Sequence, residues 1–195
     1  LSALNQHHRS LCSIEDPIEI RPPGINQVAY HPRAGLDFAV IITALLRQDP
    51  DVIMIGEIRN SITAQLAIQA AQTGHLVLST LHIRNAQGAL ARLQSRGIDE
   101  EPLESCLHFV SSQRLVRRRC QDCNGPNLTN PGTSSEVCDS CKGHGYFDRI
   151  GIHEILSREN LFNRELPILS MSEVGLRRIA GGVIDRAALD AEICA

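Results

Sequence analysis

The sequence predicts an α/β protein built on a parallel sheet, with a small cysteine-bearing insert and a helical tail. Three observations carry that prediction. Four consecutive apolar residues, Val52 to Ile55, stand between the helix-stopping pair Asp49-Pro50 and Gly56, which suits a short strand buried on both faces. Strand-like and helix-like stretches alternate from Leu11 to Arg96, the order of a parallel α/β sheet. Two Cys-x-x-Cys pairs, at 120/123 and 138/141, then interrupt the chain.

The first element, Leu11 to Ile14, reads as a strand that ends at Glu15-Asp16-Pro17. Pro17 has no N–H for a ladder and restrains Asp16 to extended geometry, so both acids sit at a strand-to-loop junction. Paired carboxylates there suit general-base or magnesium chemistry, or simply a solvated turn. Ile25 to Tyr30 reads as a second strand. Gly35 to Gln48 has helical apolar spacing at Phe38, Ile41, Ile42 and Leu45. In the Val52–Ile55 strand, Gly56 lets the chain leave the sheet edge tightly, which puts Glu57 at the carboxyl end, where open α/β sheets bind ligands. Arg59 follows it closely.

Ser61 is the expected N-cap of a helix that runs to Thr73 and stops at Gly74. The segment Leu76 to Leu81 reads as another buried strand, with Thr80 and His82 at its carboxyl end and His75 at the opposite end. His75 reads equally as a core histidine held by backbone. A helix from about Ala86 to Arg96 and another near Leu103 to Ser111 lead into the basic run Arg114 to Arg119. Ile150 to Leu156 is a strand or helix expected to re-enter the main domain. The tail reads as two helices, 171–180 and 186–193, broken at Gly181-Gly182, with Asp185 as an N-cap.

Cys120, Cys123, Cys138 and Cys141 form two knuckles separated by residues 124–137, which are rich in Pro, Gly, Ser, Thr and Asn. Four thiolates in that pattern suit one closed tetrahedral zinc in a reducing compartment better than a disulfide framework. An insert this poor in apolar residues needs the stability that a metal supplies. The remaining cysteines, Cys12, Cys106 and Cys194, read as small apolar packers. The domain division expected is 1–119, 120–149 and 150–195.

Composition limits the alternatives. The chain has 195 residues, 43% hydrophobic and 21% charged, with a formal net charge of −3, ordinary for a soluble globular protein. That balance exerts no general pull on nucleic acid, and with aromatics at 3% the arginine run lacks stacking partners for a nucleic-acid-binding ribbon. Nucleic acid is therefore not an expected partner. The longest apolar run, Phe38 to Leu46, is too short to span a bilayer, and the start lacks a signal-peptide apolar region.

Four segments, in order, resemble the carboxyl-terminal portion of the type II secretion and type IV pilus assembly ATPases. Ser13-Ile14-Glu15-Asp16-Pro17-Ile18-Glu19 is similar to their aspartate box. Leu46 to Arg59 resembles the Walker B region, and Thr73 to His82 the histidine box. Gln113 to Arg118, the two cysteine pairs, and Gly151 to Leu156 resemble the metal-binding subdomain and its return. The resemblance implies a partial RecA-like P-loop ATPase core with a tetracysteine zinc subdomain, acting in a cytoplasmic homohexamer on inner-membrane platform proteins. It implies that Glu15 orients the attacking water, that Asp16 and Glu19 help with magnesium, and that Glu57 holds Mg2+ of Mg-ATP through water. It further implies that His75 and His82 relay the γ-phosphate state, with Arg59 and Thr80 beside them. The tetracysteine motif points to assembly or secretion members, since retraction members usually lack it.

The chain also departs from the family pattern. It contains no Gly-x-x-x-x-Gly-Lys-Ser/Thr, the loop that cradles phosphates, and Leu1 to Asn5 resembles the end of the helix that follows this loop. The phosphate-gripping part is therefore expected outside this chain, which by itself is expected to bind ATP weakly or not at all. Asn60 and Ile83-Arg84-Asn85 replace the usual acidic and Thr-Asn-Asp residues. A non-catalytic paralogue and a zinc-ribbon nucleic-acid module are the competing readings.

Overall fold

The computed structural model describes residues 1–83, 85–125, 138–163 and 167–193. Arg84, Cys194 and most of the spacer between the cysteine pairs lie outside the described residues. The chain divides into two compact units, Leu1–Arg84 with Gly88–His108, and Asn85–Gln87 with Phe109–Ala195.

The first unit holds four parallel strands, β1 (Leu11–Glu15), β2 (Asn26–Ala29), β3 (Val52–Ile55) and β4 (Leu76–Ser79), in the order β2-β1-β3-β4. One sheet face presents Cys12, Ile14, Ile53 and Ile55, which pack with Phe38, Ile41, Ile42 and Leu45 of α1 (Phe38–Leu46) and Ala67 and Ala70 of α2 (Ser61–Gln72). Two short helices, α3 (Gly88–Gln94) and α4 (Glu100–Cys106), complete the unit. The apolar spacing that predicted α1 is the face it buries. The helix is shorter than expected because His31 and Leu36 close a turn around Gly35, whose φ of 76° favours glycine. Asp37 then caps it, accepting a hydrogen bond from the Val40 N–H at 2.9 Å.

Two expectations need correction here. The N-cap of α2 is Asn60, not Ser61. Asn60 is extended and its Oδ1 accepts from the Thr63 N–H at 2.8 Å, which leaves Ser61 as the first helical residue. The residue that departs from the family's usual acid thus serves as the cap. The strand ending at His82 is also not buried: β4 is an edge strand of the described sheet, with Leu76 43% and Leu78 36% exposed. Only Val77, on the opposite face, reaches the core.

The second unit is organised on a long antiparallel ribbon of β5 (Phe109–Arg119) and β6 (Tyr146–Ser157). Its helices are α5 (Arg158–Phe162), α6 (Met171–Ala180) and α7 (Arg186–Ile193). The ribbon's inner face, with Val116 and Ile152 fully buried, packs on Ile184, Ala188 and Leu189. Gly175 is needed on α6, since a Cβ there would meet Leu189 Cδ1 at 2.5 Å. A capping box of Ser170 and Glu173 starts α6, and Asp185 caps α7 through the Ala188 N–H at 2.8 Å, as the sequence suggested. The helix expected near Leu103 to Ser111 ends at Cys106, because Phe109 already pairs with Ser157. The basic run is the second half of β5, and Ile150 to Leu156 pairs with β5 instead of rejoining the parallel sheet. No helix among the described residues is long and apolar enough to cross a membrane.

Candidate functional site

Parallel register brings strand ends to one level: Ile14 lies beside Ile55, and Ile55 beside Ser79. The residues just beyond, Glu15, Gly56 and Thr80, therefore emerge along one carboxyl edge of the sheet, where such folds bind ligands. Gly56 closes the seam. Its N–H donates to the Ile14 carbonyl at 2.7 Å, and a Cβ at this position would stand 2.9 Å from that same oxygen. Thr80 completes the line, its hydroxyl donating to the Gly56 carbonyl at 2.5 Å. The glycine was expected for a tight exit from the sheet. Its structural reason is the close approach of two backbones.

A cleft of about 270 Å³ opens at this edge, lined by Glu15, Asp16, Glu19, Glu57, Thr80 and His82, with Phe38 and Met54 among its apolar walls. Arg59 bridges two of the acids: its guanidinium pairs with Glu57 and reaches Asp16 Oδ2 at 3.3 Å. His82 Nε2 stands 3.3 Å from the other Glu57 oxygen. The Arg59 hydrogen bond, followed by the charges of Arg59 and His82, holds the Glu57 carboxyl below its ordinary range in spite of some burial. The same pairing raises the Arg59 guanidinium. Glu15 is held differently, by the Ser13 hydroxyl at 2.6 Å and the Gln27 amide at 2.8 Å, both donating to Oε1.

Seven of the eight residues singled out for the nucleotide chemistry thus meet at one place: Glu15, Asp16, Glu19, Glu57, Arg59, Thr80 and His82. His75 does not. It precedes β4 at the opposite sheet edge, where Nδ1 lies 2.9 Å from the Ala70 carbonyl and 3.1 Å from the Thr73 hydroxyl. Sequence reading missed Phe38, Met54 and Gln27. Register sets Met54 beside Ser13, on the face of Glu15, a relation that alternation within one strand does not give. Phe38 was read only as core, and nothing in the letters ties Gln27 to Glu15.

The carboxylates of the cleft are hard oxygen donors suited to Mg2+. The second donor set is soft. Cys120, Cys123, Cys138 and Cys141 place their sulfurs within 4.8 Å of one another, with Cys120 to Cys138 at 3.8 Å and Cys123 to Cys141 at 3.6 Å. A tetrahedral ion with metal–sulfur bonds of about 2.3 Å sets its sulfurs roughly 3.8 Å apart, whereas a disulfide needs about 2.05 Å. The cluster therefore fits a metal ion and not two bridges. Asn124 and Lys142, each one residue past a knuckle cysteine, have φ of 58° and 52°, and Gly145 donates its N–H to Cys141 Sγ at 3.2 Å. The thiols share their protons. Burial works against the Cys141 thiolate, but the Gly145 N–H and neighbouring thiols bring it down to about 7. At Cys123, in spite of its contact with Gly125, burial and those neighbours push the thiol up. Metals bind the thiolate form.

The family model described as "Type II/IV secretion system protein" matches residues 1–175. The chain is similar to the type II secretion system protein E of Dickeya dadantii (strain 3937), at 41% identity over 93% of this chain and 39% of that one. It is also similar to the type IV pilus assembly ATPase PilB of Acinetobacter baylyi, at 41% identity over 80% of this chain and 30% of that one. Among solved structures, the ATPase DotB of Yersinia pseudotuberculosis superposes with a TM-score of 0.69 and 25% identity, over 93% of this chain and 48% of that chain. The chain thus spans less than half the length of these relatives. By the match over residues 1–175, it belongs to the Type II/IV secretion system protein family.

Proposed function

We propose that this chain is the hydrolytic portion of a larger ATPase that powers type II secretion or type IV pilus assembly. The observation that carries the reading is the convergence of Glu15, Asp16, Glu57 and His82 on one cleft at the carboxyl edge of a parallel sheet, in a member of this family. Bound Mg-ATP would bring the electrophilic γ-phosphoryl group and the charge neutralisation that its transfer requires. In this reading Glu57 and Asp16 hold the metal side of the nucleotide, Glu19 adds charge, and Glu15 accepts a hydrogen bond from the attacking water. Arg59 pairs the two acids, and those same carboxylates would hold Mg2+ if it were bound. Thr80 and His82 sense the phosphate end, and His75 links the far end of β4 to neighbouring movement.

The four cysteines hold a structural Zn2+ in this reading. The tetracysteine motif favours an assembly or secretion engine over a retraction motor. Residues 1–119, 120–149 and 150–195 are taken as catalytic core, zinc subdomain and helical region. The working form is a cytoplasmic homohexamer seated on inner-membrane platform proteins. The test uses the complete protein that contains this chain. Glu15→Gln and Glu57→Ala are each expected to lower steady-state phosphate release at least ~100-fold. Release that persists in both variants would overturn the hydrolytic reading.

A further inference from the structure

We propose that Gln27 is a positioning residue for Glu15, a role that rests on the hydrolytic reading of the cleft. The argument begins in the register. Ser13 of β1 lies directly beside Gln27 of β2, and in parallel strands such neighbours share a sheet face. Glu15, two residues beyond Ser13, is on that face too. The three side chains therefore meet by topology, and all three hydrogen-bond distances are short. Gln27 Nε2 donates to Glu15 Oε1 at 2.8 Å and to the Ile20 carbonyl at 2.9 Å. The Ile20 carbonyl can only accept, so the amide nitrogen, with two hydrogens, must face it.

The consequence for Glu15 is specific. Oε1 already accepts from the Ser13 hydroxyl at 2.6 Å, and Ser13 is fully buried. With Gln27 added, that oxygen has both lone pairs engaged. Oε2, which has no partner among the described residues, is left as the oxygen to orient water. The second Gln27 bond reaches into the 16–25 loop, which carries Asp16 and Glu19 along the same cleft. One amide thus sets the carboxylate rotamer and anchors the loop that bears the neighbouring acids. Leu at this position keeps the volume but removes both donors, and Glu sets a second carboxylate against Glu15. A misplacement of about 1 Å at a reacting group lowers rates by roughly 100-fold.

The test is a double-mutant cycle on phosphate release by the complete protein, joined to NMR of the Gln27 side-chain amide in this chain. Gln27→Leu is expected to lower kcat by about 10- to 100-fold while KM for ATP stays within about twofold. In a Glu15→Ala background the further loss should be much smaller, limited to what passes through the Ile20 anchor. A full additional loss in that background, or a change carried by KM alone, overturns the proposal. If Glu15→Ala by itself leaves hydrolysis intact, the hydrolytic reading has failed, and the amide then decides the latch on its own. Glu15→Ala must shift one of the two Gln27 amide protons, and an unshifted pair overturns the contact. A folding defect is separated by urea unfolding of Gln27→Leu, whose midpoint and slope are expected to stay close to those of the parent.

Discussion

The parallel sheet and the antiparallel ribbon of this chain reach stability by different means. In the sheet unit, the central strands β1 and β3 have both faces covered, and Leu11, Ile14, Val52, Ile53 and Ile55 are almost fully buried. In the ribbon unit only one face is packed: Val116, Ile152 and Leu156 are buried, whereas Phe109 and Leu115 on the other face are 68% and 46% exposed. A two-stranded ribbon is marginal alone. Its inner face is covered by α7, and its own end carries the four clustered thiols, where the proposed metal would add a cross-link.

Metal removal should separate the two units most sharply. Structural zinc in small modules contributes on the order of 10 kcal/mol. Chelation, or Cys120→Ser, is expected to raise hydrogen exchange in residues 120–125 and 138–146 toward the unstructured rate. Residues 11–15 and 52–55 should keep their protection. Elemental analysis should find about one zinc per chain, from one closed four-thiolate site. Retained protection in the cysteine segments after metal loss would show that the knuckles stand without it.

Core truncation comes next. Ile53 is fully buried in a strand flanked on both edges, while Ile152 is fully buried on a ribbon with one open face. Large-to-small core changes cost about 2–5 kcal/mol, less where neighbours can collapse. Ile53→Ala is expected near the top of that range and Ile152→Ala near the bottom, read from urea unfolding. Equal losses would mean that the ribbon face is as rigidly packed as the sheet.

Two glycines sharpen the comparison on a smaller scale. An alanine Cβ at Gly56 would meet the Ile14 carbonyl at 2.9 Å and Glu15 Cα at 3.4 Å, both backbone. Gly56→Ala should therefore cost about 1–3 kcal/mol and spread the strand ends that hold Glu15 and Glu57. At Gly151 the nearest atoms are the side-chain nitrogens of His153 and Gln113, at 3.0 and 3.1 Å. These ends can swing aside, so Gly151→Ala should stay within about 0.5 kcal/mol of the parent. A large loss at Gly151 would show those side chains to be fixed.

The same contrast governs what the sequence disclosed. Buried parallel strands appear as apolar runs, unbroken in β3 and interrupted by Ser13 alone in β1, so both strands and the acids just beyond their apolar residues were legible from residue order. The ribbon was not. Its inward positions mix Val110, Ser112, Arg114 and Val116, and the run Arg114 to Arg119 looked like a charge cluster until pairing with β6 gave it a strand's alternation. β4 misled in the other direction: an apolar run was read as buried, yet it forms an edge with Leu76 and Leu78 exposed. Cysteine spacing picked out the four sulfurs that cluster, because each knuckle pair is local in sequence. Gln27 escaped because its link to Glu15 exists only through strand register.

Within the cleft, the smallest effect concerns charge. Glu57 carries the Arg59 hydrogen bond, and its carboxyl lies below the usual range for that cause first, with the charges of Arg59 and His82 adding to it. A carboxylate depressed by folding contributes stability above its unfolded pKa and loses it as pH falls through the folded value. The contribution of Glu57 is thus constant through neutral pH and fades only in acid. It is also modest, because the Arg59 side chain is 53% exposed and water screens the pair. In a carbon-detected NMR titration, Glu57 should ionise below an ordinary glutamate, and Arg59→Ala should move its midpoint upward. His82→Ala should move it less, since the histidine stands farther off at 3.3 Å and is 87% exposed. If Arg59→Ala leaves the midpoint in place, the charge state of Glu57 is set by something other than its ion pair with Arg59.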